Sequence, residues 1–177
     1  MDRKFKASES SIVGNACLYG GTGGDLHANG RAGERFGVRN SGTYAVVEGT
    51  GDHLCEYMTG GVIVTLGSTG RNIGAGMTGG LLYAYDPDDK LDANLNHEIV
   101  SVRDVPAGSP AELQLKAMIE RHLALTGSSR AKELLDSWET ALPKFAQVYP
   151  PSEAKGILVA GGVEGAKVRE SRSEAMS

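Results

Sequence analysis

Glycine returns at a near-constant interval through the first half of the chain, and that period restricts the fold more than any other feature. Gly24, Gly42, Gly61 and Gly80 are spaced 18, 19 and 19 residues apart, while Gly14, Gly33, Gly51 and Gly70 are spaced 19, 18 and 19. A repeat this short, with no helix-length segment inside it, points to a solenoid of stacked β-coils. The clearest copies are residues 51–66 and 70–85, in which Met58-Thr59-Gly60-Gly61 and Met77-Thr78-Gly79-Gly80 fall in register. More degenerate copies run from Gly33 through Asn40-Ser41-Gly42 into Thr43-Tyr44-Ala45-Val46-Val47, and from Gly14 through Thr22-Gly23-Gly24 into Asp25-Leu26-His27-Ala28. A sandwich of glycine-rich hairpins is the competing architecture, but hairpins would not hold a 19-residue period.

Each copy reads as a turn, a short strand, a glycine corner and a second short strand of β-branched or aromatic character. Counted from the corner glycines, the second residue is Leu26, Tyr44, Ile63 and Leu82 in turn, and the fourth is Ala28, Val46, Thr65 and Ala84. Alternate residues share one face of a strand, so these two columns are expected to point inward and stack from coil to coil. Twenty-five glycines among 177 residues, about twice the usual share, fit corners that need φ > 0 or close backbone approach.

Asp86-Pro87-Asp88-Asp89 ends the repeats, and residues 91–105 read as an irregular connector, extended around Ile99-Val100-Ser101-Val102. Ser109-Pro110-Ala111-Glu112 then has the chemistry of a helix start, with Ser as N-cap, Pro first and Glu three residues after the cap. Leu115, Met118, His122 and Leu125 mark one face, and Gly127 closes the helix. A second helix, capped by Ser128 or Ser129, carries Ala131, Leu134, Leu135, Trp138 and Leu142 on one stripe until Pro143 ends it. Two short amphipathic helices cannot bury their stripes alone, so they are expected to cap the open end of the solenoid or to dock on another chain. Residues 150–177 are small, charged and polar apart from Ile157-Leu158-Val159, and are expected to be flexible.

A formal net charge of −4, from 22 acidic and 18 basic residues spread along the chain, gives no reason to expect nucleic acid or an anionic membrane as partner. Cys17 and Cys55 lie two repeats apart, roughly 10 Å in a stack of parallel coils, which is too far for a disulfide. The opening Met1-Asp2-Arg3-Lys4-Phe5 has no apolar signal run, and a reducing cytoplasm is the expected location.

Residues that suggest chemistry have simpler readings. Gly74-Ala75-Gly76-Met77-Thr78-Gly79 matches the dinucleotide pattern G-x-G-x-x-G, but Gly80-Leu81-Leu82-Tyr83-Ala84-Tyr85 and Asp86-Pro87 follow it as strand and stop, with no helix to bind a pyrophosphate. Gly20-Gly21-Thr22-Gly23-Gly24 could form an anion-binding nest, yet repeat corners account for the same glycines. His27, His53, His97 and His122 form no metal-binding pair, and neither cysteine belongs to a C-x-x-C unit. Cys55 with His53 two residues away reads as a structural thiol, because on one strand the two would be roughly 7 Å apart with no oxyanion-hole turn nearby. Arg31, Arg35 and Arg39 read as a solvated row, since Gly30, Gly33 and Gly37 interrupt any helix there. No catalytic, cofactor-binding or metal-binding residue is therefore assigned.

Several segments resemble the C-terminal glycine-repeat (GXGXG) domain of the glutamate synthase large subunit. They are Gly14-Asn15-Ala16-Cys17-Leu18-Tyr19-Gly20, Arg31-Ala32-Gly33-Glu34-Arg35-Phe36, Val38-Arg39-Asn40-Ser41-Gly42, Val46-Val47-Glu48-Gly49, Gly51-Asp52-His53, Cys55-Glu56-Tyr57-Met58-Thr59-Gly60-Gly61, Gly70-Arg71-Asn72, Ala75-Gly76-Met77-Thr78-Gly79-Gly80 and Leu142-Pro143-Lys144-Phe145. The resemblance implies an all-β fold, a right-handed single-stranded parallel β-helix of about four 18–19-residue repeats with two C-terminal α-helices. Its expected divisions are a solenoid and connector at 1–105, a helical cap at 106–149 and a flexible tail at 150–177. It also implies a non-catalytic part of an oxidoreductase that makes two glutamates from glutamine and 2-oxoglutarate. In that enzyme, FMN and an iron–sulfur cluster belong to other domains, ammonia passes through a tunnel, and the glycine-repeat domain holds the amidotransferase and FMN-binding domains in place. The expected partners are those two domains, with the enzyme's small subunit as a further candidate, and the chain alone should be inactive. The resemblance further implies that the family's first coils are missing here, which would leave a bare sheet edge at the N-terminal end. The β-helical subunit of formylmethanofuran dehydrogenase, which shares the glycine repeats, and an independent anion-binding module are the alternatives.

Overall fold

The computed structural model describes Lys6 and residues 9–155. Four strands, β2 (Asp25–Ala32), β3 (Tyr44–Gly49), β4 (Thr59–Thr65) and β5 (Gly79–Tyr85), pair in parallel in sequence order, one per coil of a β-solenoid. A short strand β1 (Ser11–Val13) lies parallel to the end of β2. The same sheet continues past β5 in a way the repeat did not predict. Strand β7 (Phe145–Tyr149) pairs antiparallel with β5, and β6 (Ser101–Asp104) pairs antiparallel with β7, giving the order β1-β2-β3-β4-β5-β7-β6.

The strand register corrects the expected columns in one coil. Leu26 pairs with Ala45, Ala45 with Ile63 and Ile63 with Leu82, while Ala28, Val47, Thr65 and Ala84 form the second column. Tyr44 and Val46 therefore belong to the opposite face. The position equivalent to Gly24, Gly61 and Gly80 is Thr43 and not Gly42, and a shift of one residue turns every side chain over. The three glycines have φ of +82°, +80° and +82°. At Thr43 the corner is held differently: Asn40 Oδ1 accepts from the Thr43 and Gly42 N–H groups, and Asn40 Nδ2 donates to the Thr43 carbonyl.

Both faces of the sheet are buried, which is why β4 and β5 read as continuous apolar runs without polar alternation. Inside the coil, Ala45, Val47, Ile63, Leu82 and Ala84 meet Phe36, Leu54, Ile73, Met58 and Met77 from the turns opposite. On the outer face, Val46, Val62, Val64, Leu81 and Tyr83 are covered by helices α2 (Pro110–Thr126) and α3 (Ser129–Asp136). The helices thus cover the side of the solenoid, where the sequence had left a cap on its open end or docking on another chain as the expectations. The C-terminal end is closed instead by β7 and by the connector with its short helix α1 (Leu91–Asn94), where Ile73 donates to the Asn94 carbonyl and accepts from the Asn96 N–H.

Helix α2 begins and ends where its caps dictate. Ser109 Oγ accepts the Glu112 N–H, and Gly127 closes the helix with φ +66°. The carboxylate of Glu112 accepts from Trp138 Nε1 at 2.8 Å and from the Gly108 N–H at 2.6 Å, and these bonds, the Trp138 one foremost, lower its pKa. The buried side of α2 is Ala111, Leu115, Met118, Ile119 and His122, while Leu125, expected on that face, is 61% exposed. The second helix divides at Ser137: α3 is followed by α4 (Trp138–Ala141) and a 3-10 turn at Leu142–Lys144, so its stripe is bent onto the sheet. Residues 150–155 are anchored, with Arg103 donating to the Glu153 and Ala154 carbonyls and Ser152 Oγ to the Thr78 carbonyl. The remainder of the expected flexible tail, 156–177, lies outside the described residues.

The corrected register makes an unequal pair of outcomes. Val47→Ala should cost about 2 kcal/mol in urea unfolding by opening a cavity inside the coil, whereas Tyr44→Ala should cost less than about 1 kcal/mol at a partly exposed site. The reverse ranking would restore the spacing counted from Gly42.

Candidate functional site

The turns opposite the sheet hold the feature that repeats most faithfully. In the four coils the backbone takes positive φ at alternate positions: Ala16, Leu18 and Gly20; Arg35, Gly37 and Arg39; His53, Cys55 and Tyr57; Asn72, Gly74 and Gly76. The first short strand expected in each copy is therefore absent, because alternate left-handed residues cannot propagate a pleated strand. Nine of these twelve residues donate their N–H to a neighbouring coil along the solenoid axis. Ala16, Arg35 and His53 donate upward to the carbonyls of Glu34, Asp52 and Arg71, and Gly20, Arg39 and Tyr57 donate upward to those of Val38, Glu56 and Ala75. The middle residues Gly37, Cys55 and Gly74 donate downward to Cys17, Phe36 and Leu54. The result is a backbone ladder of its own, parallel to the β-sheet across the core.

Eight of the twelve ladder positions carry side chains, at a cost of about 1–2 kcal/mol each relative to glycine. An inter-coil hydrogen bond returns only about 1 kcal/mol. The decisive contribution is burial: the residues between the first two left-handed positions of each coil form the inward column Cys17, Phe36, Leu54 and Ile73, of which the last three are fully buried, worth about 1.5–3 kcal/mol for each large side chain. Side chains extend the ladder outside. Asn15 Oδ1 accepts the Glu34 N–H and Asp52 Oδ1 the Arg71 N–H, and the latter bond is the main cause of the lowered Asp52 pKa. His53 Nδ1 meets Asn72 Nδ2 at 3.0 Å and Glu56 Oε2 at 3.3 Å.

The residues singled out in the sequence do not converge. Gly74 and Gly76 are ladder positions and Gly79 opens β5, so no helix follows the G-x-G-x-x-G match. Cys55 and His53 do not share a strand; the thiol is fully buried in the coil, which raises its pKa, and the imidazole stands outside. Cys17 and Cys55 are both free thiols. Arg35 and Arg39 are exposed, with Arg39 6.0 Å from the Tyr57 ring, while Arg31 is half-buried and donates to Ser68 Oγ and the Thr50 carbonyl. His97 rests against Asp92. Among the described residues, no group of three or more His, Cys, Asp and Glu is placed to hold a metal ion, and no helix is long and apolar enough to cross a membrane.

Two of the four histidines do come close. The rings of His27 and His122 are 5.5 Å apart beneath α2, and His122 reaches Glu48, which no motif had marked. The other conspicuous surface is the N-terminal end of the solenoid. A Cβ added at Gly42, Gly60 or Gly79 would strike a carbonyl of the coil below at 2.5, 2.3 and 2.0 Å, whereas at Gly14, Gly20, Gly23 and Gly24 it would meet nothing within 4 Å. Among the described residues no strand pairs with the lower edge of residues 25–28. Among the described residues, this end presents backbone and glycine beside the short strand β1.

Residues 1–151 match the GXGXG motif family. The chain is 59% identical over 151 residues to ferredoxin-dependent glutamate synthase 1, chloroplastic/mitochondrial, of Arabidopsis thaliana, covering 84% of this chain and 9% of that protein. It is 56% identical over 149 residues to ferredoxin-dependent glutamate synthase 2 of Synechocystis, and 56% identical over 150 residues to the ferredoxin-dependent glutamate synthase of Pyropia yezoensis, covering 84% and 85% of this chain. It spans only 9–10% of the length of these relatives.

Replacing left-handed arginines should relieve strain: Arg35→Gly and Arg39→Gly should each raise stability by about 0.5–1 kcal/mol in chemical unfolding, and Val38→Gly, between them, should lower it. A disulfide-exchange reagent should label Cys17 in the native chain and Cys55 only after denaturant is added, as followed by mass spectrometry.

Proposed function

This chain belongs to the GXGXG motif family, and we propose that it serves as the glycine-ladder domain of a ferredoxin-dependent glutamate synthase, holding the amidotransferase and FMN-binding domains in working geometry. The observation that carries this reading is the match of nearly the whole chain to one short stretch of much longer glutamate synthases. Chemistry on glutamine and 2-oxoglutarate, with FMN and the iron–sulfur cluster, then belongs to the rest of the enzyme. The small subunit expected as a further candidate partner has no specific support here.

A two-ladder solenoid suits such a role. It is fixed along its axis by hydrogen bonds on two sides of the core, so load applied by neighbouring domains meets a stiff body. Among the described residues, its N-terminal end leaves the edge of residues 25–28 and the first turn of the ladder unpaired, a surface on which a further coil of the same period or a segment of a neighbouring domain would stack. Two free thiols fit a reducing compartment. The cytoplasm is our reading of it, while several relatives carry plastid names.

Co-expression tests the role. With amidotransferase and FMN-domain polypeptides of a ferredoxin-dependent glutamate synthase, the chain should co-purify and support glutamine-dependent glutamate formation, and alone it should form none. A chain that remains monomeric beside them would contradict the proposal. A phosphate- or carboxylate-dependent rise in melting temperature would favour the anion-binding module instead.

A further inference from the structure

Under the corner between α2 and α3 lies a carboxylate that nothing above uses. Glu48, on β3, is fully buried, and so is His122 on α2, whose Nε2 stands 3.1 Å from Glu48 Oε1. Ser128 Oγ donates to the same oxygen at 2.5 Å and accepts the Ala131 N–H as the N-cap of α3. One carboxylate oxygen thus fastens the last turn of α2 and the first turn of α3 to the sheet, through residues 74 and 80 positions away in sequence. Around it stand polar atoms without hydrogen-bond partners: Glu48 Oε2, His122 Nδ1 and His27 Nδ1.

Charge balance makes this contact sensitive to protons. Apart from His27, the other charged and titratable groups of the surrounding elements pair elsewhere or face solvent, and Lys116 of α2 stands 5.7 Å from the Trp138 ring. On β2, Asp25 pairs with Arg121 of α2 at 2.6 Å and Arg31 binds Ser68 and Thr50; on α3, Arg130 pairs with Glu133 and donates to the Leu66 carbonyl, and Lys132 pairs with Asp136. Glu120 of α2 is exposed, and Glu112 is held by Trp138 and Gly108. His122 is the only group among the described residues that forms an ion pair with Glu48. With a single proton between them the two are neutral as a pair, wherever that proton sits. Without it, a carboxylate is left buried and uncompensated. With a second proton, an imidazolium faces a neutral carboxyl with no anion to balance it, beside the ring of His27, whose own pKa is lowered by burial and then by His122.

We propose that Glu48 and His122 form a one-proton latch that seats the α2–α3 layer on the solenoid and loosens when the pair either loses its proton or gains another. The helices cover the outer apolar face of the sheet, so loosening would bare a surface including Val46, Val64 and Tyr83 and would couple solution pH to what the domain can contact. The inference does not depend on the glutamate synthase reading.

Amide hydrogen exchange of the full 177-residue chain between pH 5 and 9, corrected for intrinsic rates, tests it. Protection of the α2 and α3 amides should pass through a maximum and fall about tenfold or more on the alkaline side, the factor that one pH unit of linked titration supplies. Protection of β4 amides should stay level. Glu48→Gln, which cannot be left as a buried anion, should abolish the alkaline fall. Ser128→Ala should lower helix protection at every pH and keep the shape of the profile. Nitrogen-resolved spectra of the His122 ring in the unaltered chain should show deprotonation at the pH where alkaline loosening occurs. A flat profile, a Glu48→Gln profile that retains the alkaline fall, or loosening at a pH where His122 does not titrate would each overturn the latch.

Discussion

The fold depends on stacking peptide groups at a fixed interval on two sides of one narrow core. In the sheet the interval is kept by parallel pairing of β2 through β5. In the turns it is kept by left-handed residues whose N–H groups point alternately up and down the axis. Either ladder loses its partners if a coil gains or loses a residue without local repair. One 18-residue step occurs in both ladders, from Tyr44 to Val62 and from Arg35 to His53, so they shorten together.

Much of this was legible in the sequence because glycine marks positions where a Cβ would meet the coil below. Gly33, Gly51 and Gly70 stack as the period implied, and the Met-Thr-Gly-Gly tetrads stand one above the other. The register error at Tyr44 arose where that marker is absent: Thr43 occupies the corner because Asn40 clasps it. The left-handed ladder was hidden for the same reason, since Arg, His, Cys, Tyr and Asn fill positions whose conformation normally announces itself as glycine. Strand β7 was obscured by its neighbourhood, because residues 145–149 follow a helical stripe directly and join a sheet whose last parallel strand ended at Tyr85.

Of the chemistry-bearing residues, the strand after the G-x-G-x-x-G match was legible along the chain. A nucleotide loop needs a helix after its glycines, and that requirement could be checked along the chain. Glu48, His122 and Ser128 could not be connected beforehand, because the coil brings them together from β3, α2 and the cap of α3 and no spacing rule links them. The helices themselves were recognisable from Ser109, Pro110 and Gly127. Their place was not, because a strand buried on both faces looks the same in sequence whether helices lie over it or beyond it. The relatives carry this stretch as about a tenth of their length.

Backbone NMR of the full chain tests the two-ladder account most directly. Coupling constants should give positive φ at Leu18, Arg35, Arg39, His53, Cys55, Tyr57 and Asn72, with through-space contacts between turn amides one coil apart, such as Arg35 to Asp52 and Cys55 to Phe36. Extended φ at those residues, with pairing confined to the sheet, would contradict it.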